Sequence, residues 1–149
     1  MNNKNFTSLP NLHTVPVFYP HGTQLIWISQ NGEITRPSRE TLAAELALGV
    51  VLVCHRRWSA ARAIIDIDHY LDVMELFAFV RPARFVLPTP SGIAQQLGLA
   101  RPQQVEDMAT LLPQIAFALL DELAGLPDDA RVEAGKIATM MTAGGWKWG

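Results

Sequence analysis

A single cysteine, Cys54, stands in this sequence, which excludes an internal disulfide framework and suits a reducing compartment. Charge is also sparse, at 17% of residues against roughly 25% in an average soluble domain. Together with 49% hydrophobic residues, that sparseness argues against intrinsic disorder. Neither sign dominates: 12 basic and 14 acidic residues leave a net charge of −2, so no global basic field draws in nucleic acid. No run approaches the roughly 18 apolar residues of a membrane span. The polar residues 1–5 lead into Pro10 and Pro16 without an apolar signal segment. A cytoplasmic protein with no membrane association is expected. Glycine is not gathered into a phosphate-cradling loop, and there is neither a Gly-x-Ser-x-Gly elbow nor a His-Glu-x-x-His pair.

What is there fits one domain. The 149 residues suffice to bury a core without metals or disulfides. Residues 1–23 are polar and proline-punctuated and read as an N-terminal arm or loop; residues 24–149 read as the folded unit. Gln24-Leu25-Ile26-Trp27-Ile28-Ser29 is rich in aromatic and β-branched residues, and Asn31-Gly32 follows, which predicts a hairpin with a type I′ turn and a return over residues 33–36. Ser38 is placed to cap a helix over about residues 39–48. Val50-Val51-Leu52-Val53-Cys54 is apolar throughout, as a strand buried on both faces is. Helical spacing returns over 57–65 and again from Tyr70 to Val80, where the pattern is apolar nearly all round. Thr89-Pro90 opens a helix over about 90–97, residues 111–123 carry an apolar stripe, and a last helix is predicted over about 132–141. Few strands and many helices give an α/β layout with a small sheet.

Charge is unevenly distributed. Residues 1–65 hold six basic side chains against three acids, and residues 66–149 hold six against eleven. Three groups could carry chemistry. Cys54-His55 closes the buried strand, where α/β domains place ligands, and such a couple could furnish a thiolate nucleophile or two metal ligands. Against this, neighbours on a strand point to opposite faces, and no second cysteine or His-x-x-His completes a zinc site. Asp66, Asp68, Asp72 and Glu75 form the densest acidic cluster, of the kind that holds Mg²⁺ in two-metal nucleases; capping or solvation is the competing role. His55, Arg56, Arg57, Trp58 and Arg62, with Arg81 and Arg84 further on, could grip phosphates around a stacking indole. The alternatives are pairing of Arg57 and Arg62 with nearby aspartates and burial of Trp58.

One stretch is more distinctive than these motifs. Leu71-Asp72-Val73-Met74-Glu75-Leu76-Phe77-Ala78-Phe79-Val80-Arg81-Pro82-Ala83, then Pro88-Thr89-Pro90 and Leu97-Gly98-Leu99, resembles the N-terminal region of DinG-type ATP-dependent DNA helicases of alphaproteobacteria. Leu52-Val53-Cys54-His55 and Gly145-Trp146-Lys147-Trp148 fit the same pattern, so the resemblance spans about residues 24–148. It implies a domain related to DnaQ-like 3′–5′ exonucleases, with an RNase H-like fold. Active members of that class carry Asp-x-Glu on the first strand, His-Asn-x-x-Phe-Asp after a later strand, and a closing His-x-x-x-x-Asp. Here the expected first strand offers Trp27-Ile28-Ser29 without an acid, and the second element survives only as His55-Arg56-Arg57-Trp58-Ser59-Ala60. Asp72 resembles the aspartate of an Asp-Thr-Leu segment, and Asp107 is the one candidate near the third motif.

One surviving carboxylate cannot offset two Mg²⁺ ions. The resemblance therefore implies a catalytically degenerate accessory domain, holding no metal or other cofactor and acting through a helicase body or DNA, single-stranded DNA foremost. The chain has no Walker A lysine loop, and one cysteine cannot hold a four-cysteine iron–sulfur cluster. Two other readings stand beside it. One is a residual Mg²⁺-dependent nuclease built from Asp66, Asp68, Asp72, Glu75 and Asp107. The other is a structural or oligomerising domain whose core is formed by the 70–80 and 111–123 helices.

Overall fold

The computed structural model describes residues 11–149. It is an α/β structure built on a five-stranded mixed sheet in the order β3-β2-β1-β4-β5. Strand β1 (Val17–His21) pairs antiparallel with β2 (Gln24–Ile28), which pairs antiparallel with β3 (Ile34–Thr35). On its other side β1 runs parallel to β4 (Val51–Val53), and β4 parallel to β5 (Tyr70–Asp72).

The segment expected to be an arm thus supplies the central strand; its first ten residues lie outside the described ones. Pro16 and Pro20 disguise it in the sequence. Pro20 is tolerated in a central strand because β4 is short. Val17 lies opposite Leu52 and β4 stops one residue later, so no ladder bond toward β4 is lost at Pro20. At the tip between β1 and β2, His21 faces Gln24 and only Gly22 and Thr23 turn the chain, with Gly22 at φ +58°. A left-handed residue at the first loop position is what a primed two-residue turn requires.

The hairpin expected around Asn31-Gly32 joins β2 to β3, but with a different turn. Gly32 N–H donates to the Ser29 carbonyl at 2.9 Å, Gly32 alone has positive φ (+82°), and Ser29 N–H closes the ladder on Glu33 at 2.9 Å. Asn31 stays out of the left-handed region, so the connection is a bulged turn rather than type I′.

Two-residue periodicity sorts the strands between two layers. Val17, Tyr19, Ile26, Ile28, Leu52, Cys54 and Leu71 face helices α3 (Val73–Val80), α4 (Pro90–Gln96) and α5 (Val105–Ala124). Phe18, Trp27, Val51 and Val53 face the opposite layer with Leu42 and Leu46 of α1 (Arg39–Leu46) and Ala63 of α2 (Arg56–Ala63). The sheet is covered on both faces, which is why β4 reads as an uninterrupted apolar run. Residues 70–72, expected as the start of a helix, form strand β5 instead; the helix begins at Val73 with Asp72 as its cap. The final helix, α6 (Asp128–Ala143), is longer than expected and buries none of its residues. Among the described residues no helix is long and apolar enough to cross a membrane.

Candidate nucleic-acid interface

Because β1, β4 and β5 run parallel, their C-terminal ends emerge on one edge of the sheet, the edge where open α/β sheets gather ligands. His21, His55 and Asp72 stand at or just beyond these strand ends, and Asp72 meets His55 directly. The β4–α2 junction is the tightest part. His55 adopts a left-handed conformation (φ +59°, ψ +78°) and caps α2, its Nδ1 accepting from Trp58 N–H at 3.2 Å. A non-glycine residue held in this region costs of the order of 1–3 kcal/mol. Asp72 offsets that cost. Its carboxylate accepts N–H bonds from His55 (2.9 Å), Arg56 (2.7 Å) and Met74 (2.9 Å), tying the strained turn to the start of α3. Charge-assisted bonds of this kind are about twice as strong as neutral ones.

Asp72 is also gripped from the far end of the chain. The Trp148 indole N–H donates to the Asp72 carbonyl at 2.8 Å, and both residues are buried. Trp146 stacks on Phe79 with ring centroids 4.7 Å apart. The two tryptophans of the Gly145–Trp148 element thus act as packing against α3 and β5, a role that spacing alone does not reveal.

The exposed part of the edge is aromatic and basic. Trp58, on the first turn of α2, is 40% exposed, and its ring lies 6.1 Å from that of Tyr19, which in turn lies 6.5 Å from His21. The Arg62 guanidinium sits 6.0 Å from the Trp58 ring and donates to the Gly22 carbonyl at 2.9 Å, fastening α2 to the β1–β2 turn. Arg57 is exposed and, among the described residues, makes no side-chain hydrogen bond or ion pair. The aspartate pairing considered for Arg57 and Arg62 does not occur, and Trp58 is not a core residue.

Not every candidate joins this group. Arg56 turns away: its Nε donates to the Ile67 carbonyl at 2.8 Å and its guanidinium lies over Tyr70 at 5.1 Å. Arg84 is exposed beyond the far end of α3, a helix about 12 Å long. Arg81 is an α3–α5 clamp, bound to Glu122 at 3.0 Å.

The acids are likewise dispersed. Asp66 and Asp68 are exposed and precede β5, at the opposite end of the strand from Asp72. Asp107 caps α5, accepting from Gln103 and Gln104 N–H at 2.7 and 2.8 Å. Only Glu75, half-buried in α3, stays beside Asp72. Burial and then the Asp72 charge push its carboxyl up, with Arg56 and Lys147 pulling the other way. Among the described residues no three His, Cys, Asp or Glu side chains are grouped to hold a metal ion.

Cys54 is no nucleophile in this setting. Burial, with Asp72 adding to it, pushes the thiol far above its ordinary value, which disfavours the thiolate that would attack. Tyr19 is raised as well, by burial and by Cys54. What this edge offers chemically is stacking surface, guanidinium charge and backbone rigidity. A cleft of about 300 Å³ at the other end of β1 and β4, between Trp27, Asn31, Glu45 and Val50, contains none of the candidate acids, arginines or Cys54-His55. Tyr19 and His21 were missed by sequence reasoning, although the Val17-Phe18-Tyr19 run and the His21-Gly22 turn signal pointed to them. The chain matches no family model, no curated protein and no solved structure.

Proposed function

We propose that this chain is a catalytically degenerate, RNase H-like accessory domain, related to DnaQ-type exonucleases, that binds single-stranded DNA in the context of a DNA helicase. One observation carries the reading: Trp58, Arg62 and Arg57 stand exposed where β1 and β4 end, with the buried Tyr19 ring 6.1 Å from that of Trp58. The exonuclease resemblance expects one motif on the first strand and another after a later strand. The parallel β1–β4 pair supports this, since it brings those two places to one edge. Where the resemblance expects acids on the first strand, β1 carries Val-Phe-Tyr-Pro-His and β2 Gln-Leu-Ile-Trp-Ile, neither with a carboxylate. Asp72, the best remaining acid, is committed to three backbone N–H groups.

Base-on-aromatic stacking is sequence-tolerant and worth about 1–3 kcal/mol per base, which suits a net-acidic domain with only a local basic patch. The test is a titration with a single-stranded oligonucleotide at low salt, read by tryptophan fluorescence and anisotropy. Binding that weakens with salt and is weakened further in Trp58→Ala supports the proposal. No binding at low salt overturns it. The same oligonucleotide, end-labelled and incubated with Mg²⁺ or Mn²⁺, tests degeneracy: cleavage abolished by Asp72→Ala would make the chain a nuclease.

A further inference from the structure

Helix α6 ends at Ala143, and Gly145, at φ +100°, turns the chain back toward α3. Only glycine takes that backbone conformation without strain. The Trp146 N–H donates to the Met141 carbonyl at 3.0 Å and closes the turn. Trp146 then stacks on Phe79, and the Trp148 indole N–H donates to the Asp72 carbonyl at 2.8 Å. Asp72 and Phe79 lie two helical turns apart, about 10 Å along α3. The two anchored indoles fix the residue between them. Lys147 is exposed, and it makes no hydrogen bond or ion pair with any described residue. Its charge acts at Glu75, on the first turn of α3, as the Arg56 charge does. Lys147 therefore stands beside the end of β5, while Arg57 follows the end of the neighbouring strand β4. Adjacent strands are about 4.8 Å apart.

Resting on the single-strand reading above, we infer that the Gly145–Trp148 element forms a second wall of that interface, with the Lys147 ammonium taking a phosphate of the strand whose base stacks on Trp58. Most basic side chains among the described residues are committed to a carboxylate or a backbone carbonyl, as Arg81 is to Glu122 and Arg62 to Gly22. Arg57 and Lys147 are free of such partners and border one sheet edge. A strand laid across the ends of β4 and β5 meets the Trp58 indole, the Arg57 guanidinium and the Lys147 ammonium. A stacking platform flanked by separate cations is what a single-strand groove needs. Asp72 keeps the two walls in register. Its carboxylate holds the β4–α2 turn that carries Arg57 and Trp58, and its carbonyl holds the indole next to Lys147. The Lys147 backbone is thus ordered before a ligand arrives, which lowers the entropy lost on binding.

Anisotropy of a labelled oligothymidylate, titrated with the full chain at several salt concentrations, tests this. Lys147→Ala is expected to reduce the slope of log affinity against log salt by about 0.7, one single-strand phosphate contact. Lys136→Ala removes the same charge from α6, where Lys136 lies beside Glu133, and is expected to leave the slope unchanged. Lysine acetylation of the native protein, read by mass spectrometry, gives a second measurement that needs no variant. The oligonucleotide is expected to protect Lys147 and to leave Lys136 reacting at its free rate. Absence of any binding at low salt overturns the single-strand reading and this inference with it. Binding that Trp58→Ala weakens, with Lys147 no more protected than Lys136 and no change of slope in Lys147→Ala, keeps that reading and overturns the second wall alone.

Discussion

Asp72 and Trp148, 76 positions apart, are joined by a 2.8 Å hydrogen bond from the indole N–H to the Asp72 carbonyl, while the Asp72 carboxylate faces the other way and holds the β4–α2 turn. The C-terminal tail therefore supports the candidate interface through one intermediate residue. Asp72 is only 5% exposed, so its removal leaves the His55, Arg56 and Met74 N–H groups without partners. Each unsatisfied buried donor costs about 1–3 kcal/mol. Asp72→Ala is expected to destabilise the protein by about 3 kcal/mol or more, and Asp72→Asn by less, since an amide oxygen still accepts. Urea denaturation followed by circular dichroism checks both, and equal losses in the two variants would show that a neutral amide oxygen recovers nothing and that the carboxylate charge carries the interaction.

The same linkage makes the last residues structural. Trp148→Ala is expected to cost about 3–5 kcal/mol, the range for deleting a buried aromatic side chain. Trp148→Phe keeps most of the packing but strips the donor from the Asp72 carbonyl, costing about 1–3 kcal/mol. The readout specific to this connection is proteolysis or hydrogen exchange at residues 54–58, which should accelerate in Trp148→Phe more than exchange in the distant β2–β3 hairpin. Uniform acceleration would mean that Trp148 contributes only global packing.

The sequence made some of this architecture legible and concealed the rest for identifiable reasons. β4, the Ser38 and Thr89 caps and the α5 stripe follow from local rules and appear where spacing places them. Ser38 accepts from Thr41 N–H and Thr89 from Gly92 N–H, each at the first turn of its helix. β1 was hidden because Pro16 and Pro20 are local breakers, and only the brevity of β4 renders Pro20 harmless. β5 was hidden because three residues show no period, and Tyr70 and Leu71 continue the apolar helical pattern of α3 without a break. For the site, the Arg57-Trp58-Arg62 group was legible as a basic and aromatic cluster. The convergence of Tyr19 and His21 upon it depends on strand order, which no local pattern encodes.

Cys54 provides a chemical probe of the edge. Burial and the Asp72 charge raise its thiol, so the native protein is expected to resist thiol-specific reagents across the neutral range. Labelling should appear only as the chain unfolds, at a rate tracking the denaturant transition. Rapid stoichiometric labelling of the native state would show that the end of β4 opens locally. In Asp72→Ala, with the β4–α2 turn released, labelling is expected to speed up before global unfolding.

Glu75 gives a pH signature. Its folded-state pKa is raised, chiefly by burial and then by Asp72, so the folded protein holds the Glu75 proton more tightly than the unfolded chain does. Stability from this group is fully present below the unfolded value, near 4.5, and falls as pH rises through the folded one. At neutral pH the ionised carboxylate is therefore a modest burden, reduced by solvent and by Arg56 and Lys147. Glu75→Gln is expected to raise Tm at pH 7 and to have no such advantage at pH 4. A variant that lowers Tm at pH 7 would show that attraction to Arg56 and Lys147 outweighs burial.

Stability and binding should separate at Trp58. Its ring is 40% exposed and Arg62 remains fixed to the Gly22 carbonyl without it, so Trp58→Ala is expected to cost little stability. If one base stacks on the indole, the same change removes about 1–3 kcal/mol of binding, a loss of roughly 5- to 150-fold in affinity for single-stranded DNA. Trp58→Phe should recover part of that loss, because a smaller ring still offers a π face. Arg57→Ala is expected to act differently: if its guanidinium meets a phosphate of the strand, the slope of log affinity against log salt should decrease by about 0.7 for a single strand. Arg84→Ala, beyond the far end of α3, should leave both affinity and slope unchanged. Equal effects at Arg57 and Arg84 would mean that binding follows overall charge rather than the edge formed by β1 and β4.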